Sequence, residues 1–288
     1  MRDAPKRRFA RTVDLGTRKF WRLTGREIDL DGADAWLRAP TVGPGPVGTA
    51  WLEAEAARRG GTVHHDLPDA GLIPDWGALA GAGFDPSALH PSIVDFYART
   101  ARWRMEVWSS WSPLFQPGGA IVSRGFGRRV QQLALPTNPL DVARGLDGRV
   151  SVLTDSAGEQ VAAGWIRTLR SSGDTVFSGC YSTRTLPGAD RPSVHVTFPL
   201  EAGNLQVFLR PSDRPGGALE LASPRGPWGA DGAYITVHDS GRDFAKRVPL
   251  HESFQLYVDD EGTLRTDHVV RVGPATALRL HYKLTRRE

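Results

Sequence analysis

The chain has 288 residues, 40% hydrophobic and 24% charged, the balance of a folded globular protein long enough to bury a core without staples. Its formal net charge is only +4, and the adjacent basic clusters Lys6-Arg7-Arg8 and Arg286-Arg287 sit near the ends, which argues against a nucleic-acid partner with its basic face on one element. Cys180 is the sole cysteine, so no internal disulfide and no cysteine-based zinc site can form, and a buried structural thiol in a reducing compartment is expected.

Along the chain, Lys6–Arg11 resembles the start of a twin-arginine export signal. The polar stretch Thr12–Lys19 that follows lacks the apolar run such a signal needs. No segment approaches the ~20 apolar residues of a membrane-spanning helix. The expectation is a cytoplasmic protein with no membrane span.

Residues 1–86 read as an irregular, partly helical cap. Residues 48–59 predict a helix with Thr49 as N-cap and Gly60-Gly61 as its stop. A short second helix is expected over 76–82, capped by Asp75. Asp85-Pro86-Ser87 opens a third, in which Ile93, Phe96 and Tyr97 share one face.

Residues 87–288 form the main domain. In 103–111, Trp103, Met105 and Val107 alternate with Arg104 and Glu106, the period of a strand. Another short strand is predicted at 128–135. From 149 onward β-rich runs recur about every 8–12 residues, as in sandwiches and barrels. Turn signals separate them, among them Asp155-Ser156-Ala157-Gly158 and Asp259-Asp260-Glu261-Gly262. No helical segment intervenes, so parallel crossovers are not expected. The strand 278–284 has a wet face of Arg279, His281 and Lys283. By contrast, 161–169 is apolar on both faces and must be covered on both. The predicted fold is mainly β: an antiparallel meander forming a curved sheet or barrel, with the helical N-terminal part as its cover in one integrated unit.

Short motifs add a family resemblance. Gly164-Trp165-Ile166-Arg167-Thr168, then Phe198-Pro199-Leu200 and Gly203-Asn204-Leu205, resemble the soluble C-terminal region of bacterial YndJ-like proteins. His90-Pro91, Phe96-Tyr97 and Gln132-Leu133-Ala134-Leu135-Pro136 extend the likeness, which runs from about Leu89 to the C-terminus. YndJ-like proteins carry a multi-span membrane segment first, and this chain has none. The resemblance implies a β-rich soluble domain, with no established activity to carry over.

Catalytic motifs are few. His64-His65-Asp66-Leu67-Pro68-Asp69-Ala70-Gly71 is similar to the double-histidine signature of condensation domains, but an extra Ala precedes Gly71 and the chain is too short for that fold. An exposed polar loop is the expected role. His195, His238, His251, His268 and His281 are scattered through the strands without ligand spacing, so no metal site is assigned. No nucleophile elbow, P-loop or dinucleotide fingerprint occurs, and no cofactor is expected.

Nine tryptophans are the unusual chemistry. Trp103, Trp108, Trp111 and Trp165 lie on or near predicted strands, and Arg167 shares a face with Trp165. Core packing is the ordinary use of such rings. The sharper one is an apolar pocket in which Arg167 meets an anionic group. The leading functional expectation is a binding site for an apolar or amphiphilic small molecule, lipid-like or polyketide-like with an anionic end, inside a β-barrel. An enzyme using the same cavity (isomerase, cyclase or hydrolase) and a structural or interaction module stay open as alternatives. An enzyme would hold a perturbed His or carboxylate inside the pocket.

Overall fold

The computed structural model describes residues 19–42, 48–113, 146–170, 173 and 175–287. In the first part, after a short helical stretch at 19–24, lie the α-helices α1 (Ala50–Arg58) and α2 (Pro91–Ala98). The strands there are β1 (Arg26–Ile28), β2 (Val63–His64) and β3 (Trp103–Trp111). The rest is strand: β4 (Leu146–Thr154), β5 (Gln160–Leu169), β6 (Thr175–Arg184), β7 (Ser193–Leu200), β8 (Gly203–Arg214) and β9 (Ala218–Ala222). Then come β10 (Gly232–Asp239), β11 (Arg242–Val248), β12 (Leu250–Val258), β13 (Leu264–Val272) and β14 (Ala275–Arg286). The predicted strand 128–135 lies outside the described residues.

Ten strands close into an antiparallel barrel. β3 to β8 pair in chain order, β8 pairs β9, β9 pairs β12, and β14 returns to β3. The length of β8 makes this closure possible. Its first part pairs β10, and from Arg210 to Arg214 it pairs β9 instead. The β10–β11 hairpin thus grows outward from the barrel wall, with β1 on its far edge.

The tight turns follow from sequence chemistry. The Asp155 carboxylate accepts the N–H groups of Ala157 and Glu159, and Gly158 takes φ 85°. Asp259 repeats this with Glu261 and Thr263, and Gly262 takes φ 75°. An aspartate that mimics the backbone, followed by glycine in the left-handed region, folds each chain back into a hairpin.

α2 plugs one end of the barrel. Ile93, Phe96 and Tyr97 join Trp103, Trp165 and Leu256 in the largest core. The helix predicted over 76–82 is only the 3₁₀ turn Gly77–Leu79, started by Asp75 accepting from Gly77 N–H at 2.7 Å. Gly81 and Gly83 follow at φ 157° and 74°, conformations that stop a helix there.

The outer wall is covered as well. Trp51 and Leu52 of α1 pack on Leu153, Ala162, Ile166 and Cys180, and Trp51 Nε1–H donates to Ser178 Oγ at 3.0 Å. Gly164 permits this approach, because a Cβ there would stand 2.4 Å from Leu52 Cδ2. Burial pushes the Cys180 thiol up to about 12, which leaves it inert. His64 and His65 do not form a free loop. β2 pairs β4, and His65 Nδ1 lies 2.9 Å from Ser151 Oγ while Nε2 lies 3.2 Å from Glu53. Both imidazoles stay exposed, as expected for this stretch, and their contacts tie it to β4.

Further along the same outer wall, His195 is buried beneath Leu37. Its Nε2 lies 2.8 Å from Gln206 Oε1, and Gln206 Nε2–H donates to Leu37 O at 2.6 Å. Gln206 oxygen must accept, so Nε2 carries the imidazole proton. Burial first, then the nearby charge of Arg184, lower this histidine from 6.5 to about 3. The neutral form therefore contributes stability that is complete above about pH 6.5 and is lost as pH falls toward about 3. Urea unfolding at pH 7 and pH 4.5 should show the wild type losing stability with a slope approaching ~1.4 kcal/mol per pH unit from this group. His195→Gln should remove that slope; an unchanged pH dependence would mean that His195 does not carry it.

Candidate functional site

Alternation decides which side chains enter the barrel. On β3, Trp103, Met105, Val107, Ser109 and Trp111 are buried or half-buried, while Arg104, Glu106, Trp108 and Ser110 are exposed. Trp108 is 52% exposed and faces His281 of β14 on the outside. It is therefore separate from the other predicted site residues, for the plain reason that it sits an odd number of positions from Trp103 and Trp111.

Trp103, Trp165 and Arg167 do come together. Trp165 and Arg167 both point inward from β5, and the Arg167 guanidinium carbon lies 3.6 Å from the Trp165 ring centroid. It also lies 4.6 Å from Phe177 and 5.8 Å from Tyr282. Gly148 on the neighbouring strand makes room, since a Cβ there would stand 3.2 Å from Trp165 Nε1. Trp111 is farther along β3, in a separate apolar group with Leu278, Leu280 and Tyr282.

Arg167 is 9% exposed, and its Nε has no hydrogen-bond partner among the described residues. Among the described residues no carboxylate forms an ion pair with it. A cation–π contact contributes about 0.5–2 kcal/mol, less than the several kcal/mol that desolvating a charge costs. The site thus holds a cation whose charge the surrounding rings only partly compensate.

Beside it is a cavity of about 20 Å³, lined by Phe96, Trp103, Gly148, Trp165, Arg167 and Arg287. That is room for about one water, far short of a ligand's apolar body. The rings at this level are packed core. Arg287 spans the adjacent gap in the wall, donating from Nε to Trp103 O at 3.3 Å and from Nη2 to Gly148 O at 3.0 Å. β3 and β4 pair at Met105 and Leu146 among the described residues. A groove of about 150 Å³ outside, between the cap and β5–β6, contains none of the predicted site residues.

Other polar groups share the interior. Tyr97, Tyr181 and Tyr282 are buried, and burial raises all three hydroxyls above their ordinary range, with Arg167 opposing the rise. They stay neutral and can donate hydrogen bonds. Glu252 and His268 enter from β12 and β13, where Phe254 pairs with His268. Glu252 Oε2 lies 3.3 Å from His268 Nε2, off the direction of a hydrogen bond, so neither ring nitrogen has such a partner. His268 lies flat on Phe254 at 3.7 Å. Sequence reasoning missed this pair. Its visible trace was a polar residue within each alternating inward face, Glu252-Phe254-Leu256 and Leu264-Thr266-His268.

No protein-family model, curated protein or solved structure matches the chain.

An unpaired buried charge is a liability in the free protein. Arg167→Met should leave stability within about 1 kcal/mol of wild type or raise it, as when buried charges are replaced by apolar groups of similar volume. Denaturant unfolding checks this, and a loss above about 3 kcal/mol, the scale of a broken buried pair, would make Arg167 a structural partner instead.

Proposed function

We propose that the barrel binds an amphiphilic small molecule with a carboxylate end, and that Arg167 receives the carboxylate. One observation carries the reading: a guanidinium inside the barrel has aromatic faces around it and, among the described residues, no counter-ion. A bound carboxylate would supply the missing charge and accept in the guanidinium plane.

The apolar body has its place on the side of Arg167 away from α2. There the inward positions Val107, Ser109, Trp111 and Val270 are only half-buried, beside Leu278 and Leu280. Trp165 and Trp103 serve as the floor and Trp111 as part of the wall. The segment Gly164–Thr168, which resembles YndJ-like proteins, contains both Trp165 and Arg167. Kinship with that family is part of the proposal.

Titration of a fatty-acid and aryl-acid series against intrinsic tryptophan fluorescence tests it. A saturable change is expected with the acids. A charge-assisted hydrogen bond contributes about 1.5–3 kcal/mol, so Arg167→Met should weaken an acid about tenfold or more and leave its neutral amide or alcohol nearly unaffected. No saturable change with any member, or equal weakening of acid and neutral analogue, would overturn the assignment.

A further inference from the structure

His195 and His268 are both nearly buried, at 1% and 8% exposure, yet they are treated oppositely. Both nitrogens of His195 meet protein groups: Nε2 faces Gln206, and Nδ1 lies 3.3 Å from Ser182 Oγ. Among the described residues neither nitrogen of His268 has a hydrogen-bond partner. Leaving such groups unsatisfied is costly, so a buried imidazole in this state calls for a physical reason. The carboxylate of Glu252 stands beside Nε2, on the same inner face as Phe254 and Leu256. Its side chain keeps 14% exposure, and its charge reaches the Tyr181 and Tyr282 hydroxyls. Tyr282 adjoins both halves of the interior: its ring lies 5.8 Å from the Arg167 guanidinium and 6.4 Å from the His268 ring.

We infer that Glu252 and His268 form a proton-transfer pair acting on an oxo acid whose carboxylate is held by Arg167. This rests on the reading of Arg167 as carboxylate anchor. The Glu252 carboxylate faces Nε2 and favours the proton there, which leaves the Nδ1 lone pair as the base. Glu252 is a positioning residue that holds the imidazolium as it forms, the logic of a base oriented by a carboxylate. Arg167 and His268 share Tyr282 as a neighbour without a direct contact between them, so the acidic carbon stands several bonds from the carboxylate. The substrate class is thus an oxo acid with its ketone remote from the acid group, and an apolar or aryl tail for the half-buried wall.

The step balances without a cofactor. A C–H bond next to the ketone breaks, and its electron pair becomes the C=C bond of the enolate. The proton passes to Nδ1, and the enolate oxygen takes the negative charge. Return of a proton to carbon regenerates the ketone, and its arrival at oxygen gives the enol. Nothing is oxidised or reduced.

The probe is 4-benzoylbutyrate in D₂O, with deuterium entry beside the ketone followed by NMR and binding followed by tryptophan fluorescence on the same full-length protein. Wild type should bind the probe saturably and exchange that position faster than buffer alone. His268→Gln should lose about 10²-fold or more in exchange rate, the scale of removing a general base, with binding retained. Glu252→Gln should lower kcat and leave KM unchanged, and Glu252→Asp should recover part of the rate. Arg167→Met should instead raise KM. Saturable binding with exchange no faster than buffer, or exchange unaltered by His268→Gln, overturns the proton-transfer pair and leaves the anchor standing. Absence of binding by wild type overturns the anchor, and the pair falls with it. Fluorescence and circular dichroism of each variant at pH 7 verify folding; if His268→Gln fails to fold, His268→Asn is the deciding variant, on the same criteria.

Discussion

The guanidinium of Arg167 sits inside the barrel wall, against Trp165 and Phe177 and near Tyr282. Arginine stays charged under all ordinary conditions, so the fold cannot avoid the desolvation cost by neutralising the group, as it does at His195. It can only surround the cation with ring faces and hydroxyls. Trp165 gives the closest face, Gly148 leaves the space for Trp165 to lie there, and Phe96 of α2 meets the same ring edge-on at 6.2 Å. Gly148, Trp165 and Phe96 therefore have one explanation in common, which is the accommodation of a single inward charge.

The barrel separates two polar systems on opposite faces of its wall. Outside, under the N-terminal cover, several polar side chains close on one another: His195 with Gln206 and Ser182, Asn204 with Thr236, and Trp51 with Ser178, while Thr197 Oγ1 and Arg184 Nε find no hydrogen-bond partner among the described residues. Inside, the Arg167 Nε and both nitrogens of His268 likewise find none among the described residues. Closed networks specify how two layers fit and need nothing from outside. Open ones leave hydrogen-bonding capacity that only a further molecule can use. Burial alone does not distinguish these cases, since both histidines are buried. The state of their nitrogens does.

Much of this was legible in the sequence. The period of two in β3 puts Trp103, Met105 and Val107 on one face, which proves to be the inner one. The two Asp-x-x-Gly turns marked their hairpins, and the doubly apolar β5 announced cover on both faces, met by Phe96 within and by Trp51 and Leu52 without. Trp108 went astray because residue type was weighed above parity: an indole one step out of phase with its neighbours belongs to the other face. Glu252 and His268 were hidden for a different reason. They are distant along the chain, and their contact depends on the exact pairing of β12 with β13. A one-residue slip would have sent one of them outside. The 3₁₀ turn at Gly77–Leu79 shows the same dependence on local detail, since glycines with positive φ cut short a segment whose apolar content suits a helix.

The plug gives the barrel a direction. α2 and its aromatic neighbours fill the end that carries Trp103, Trp165 and Leu284. On β14, Leu284 belongs to that filled core, Tyr282 comes next, and Leu280 and Leu278 lie in the separate apolar group beyond. The polar side chains thus form a layer between a packed aromatic floor and a looser aliphatic wall. An amphiphile entering past the aliphatic wall would place its charged end deepest, against Arg167, and leave its tail at the rim. That orientation is opposite to the one a surface cation would impose. It follows from the order of residues along β5 and β14, because each strand carries its apolar, polar and apolar inward positions at two-residue intervals and antiparallel register fixes them at matching depth.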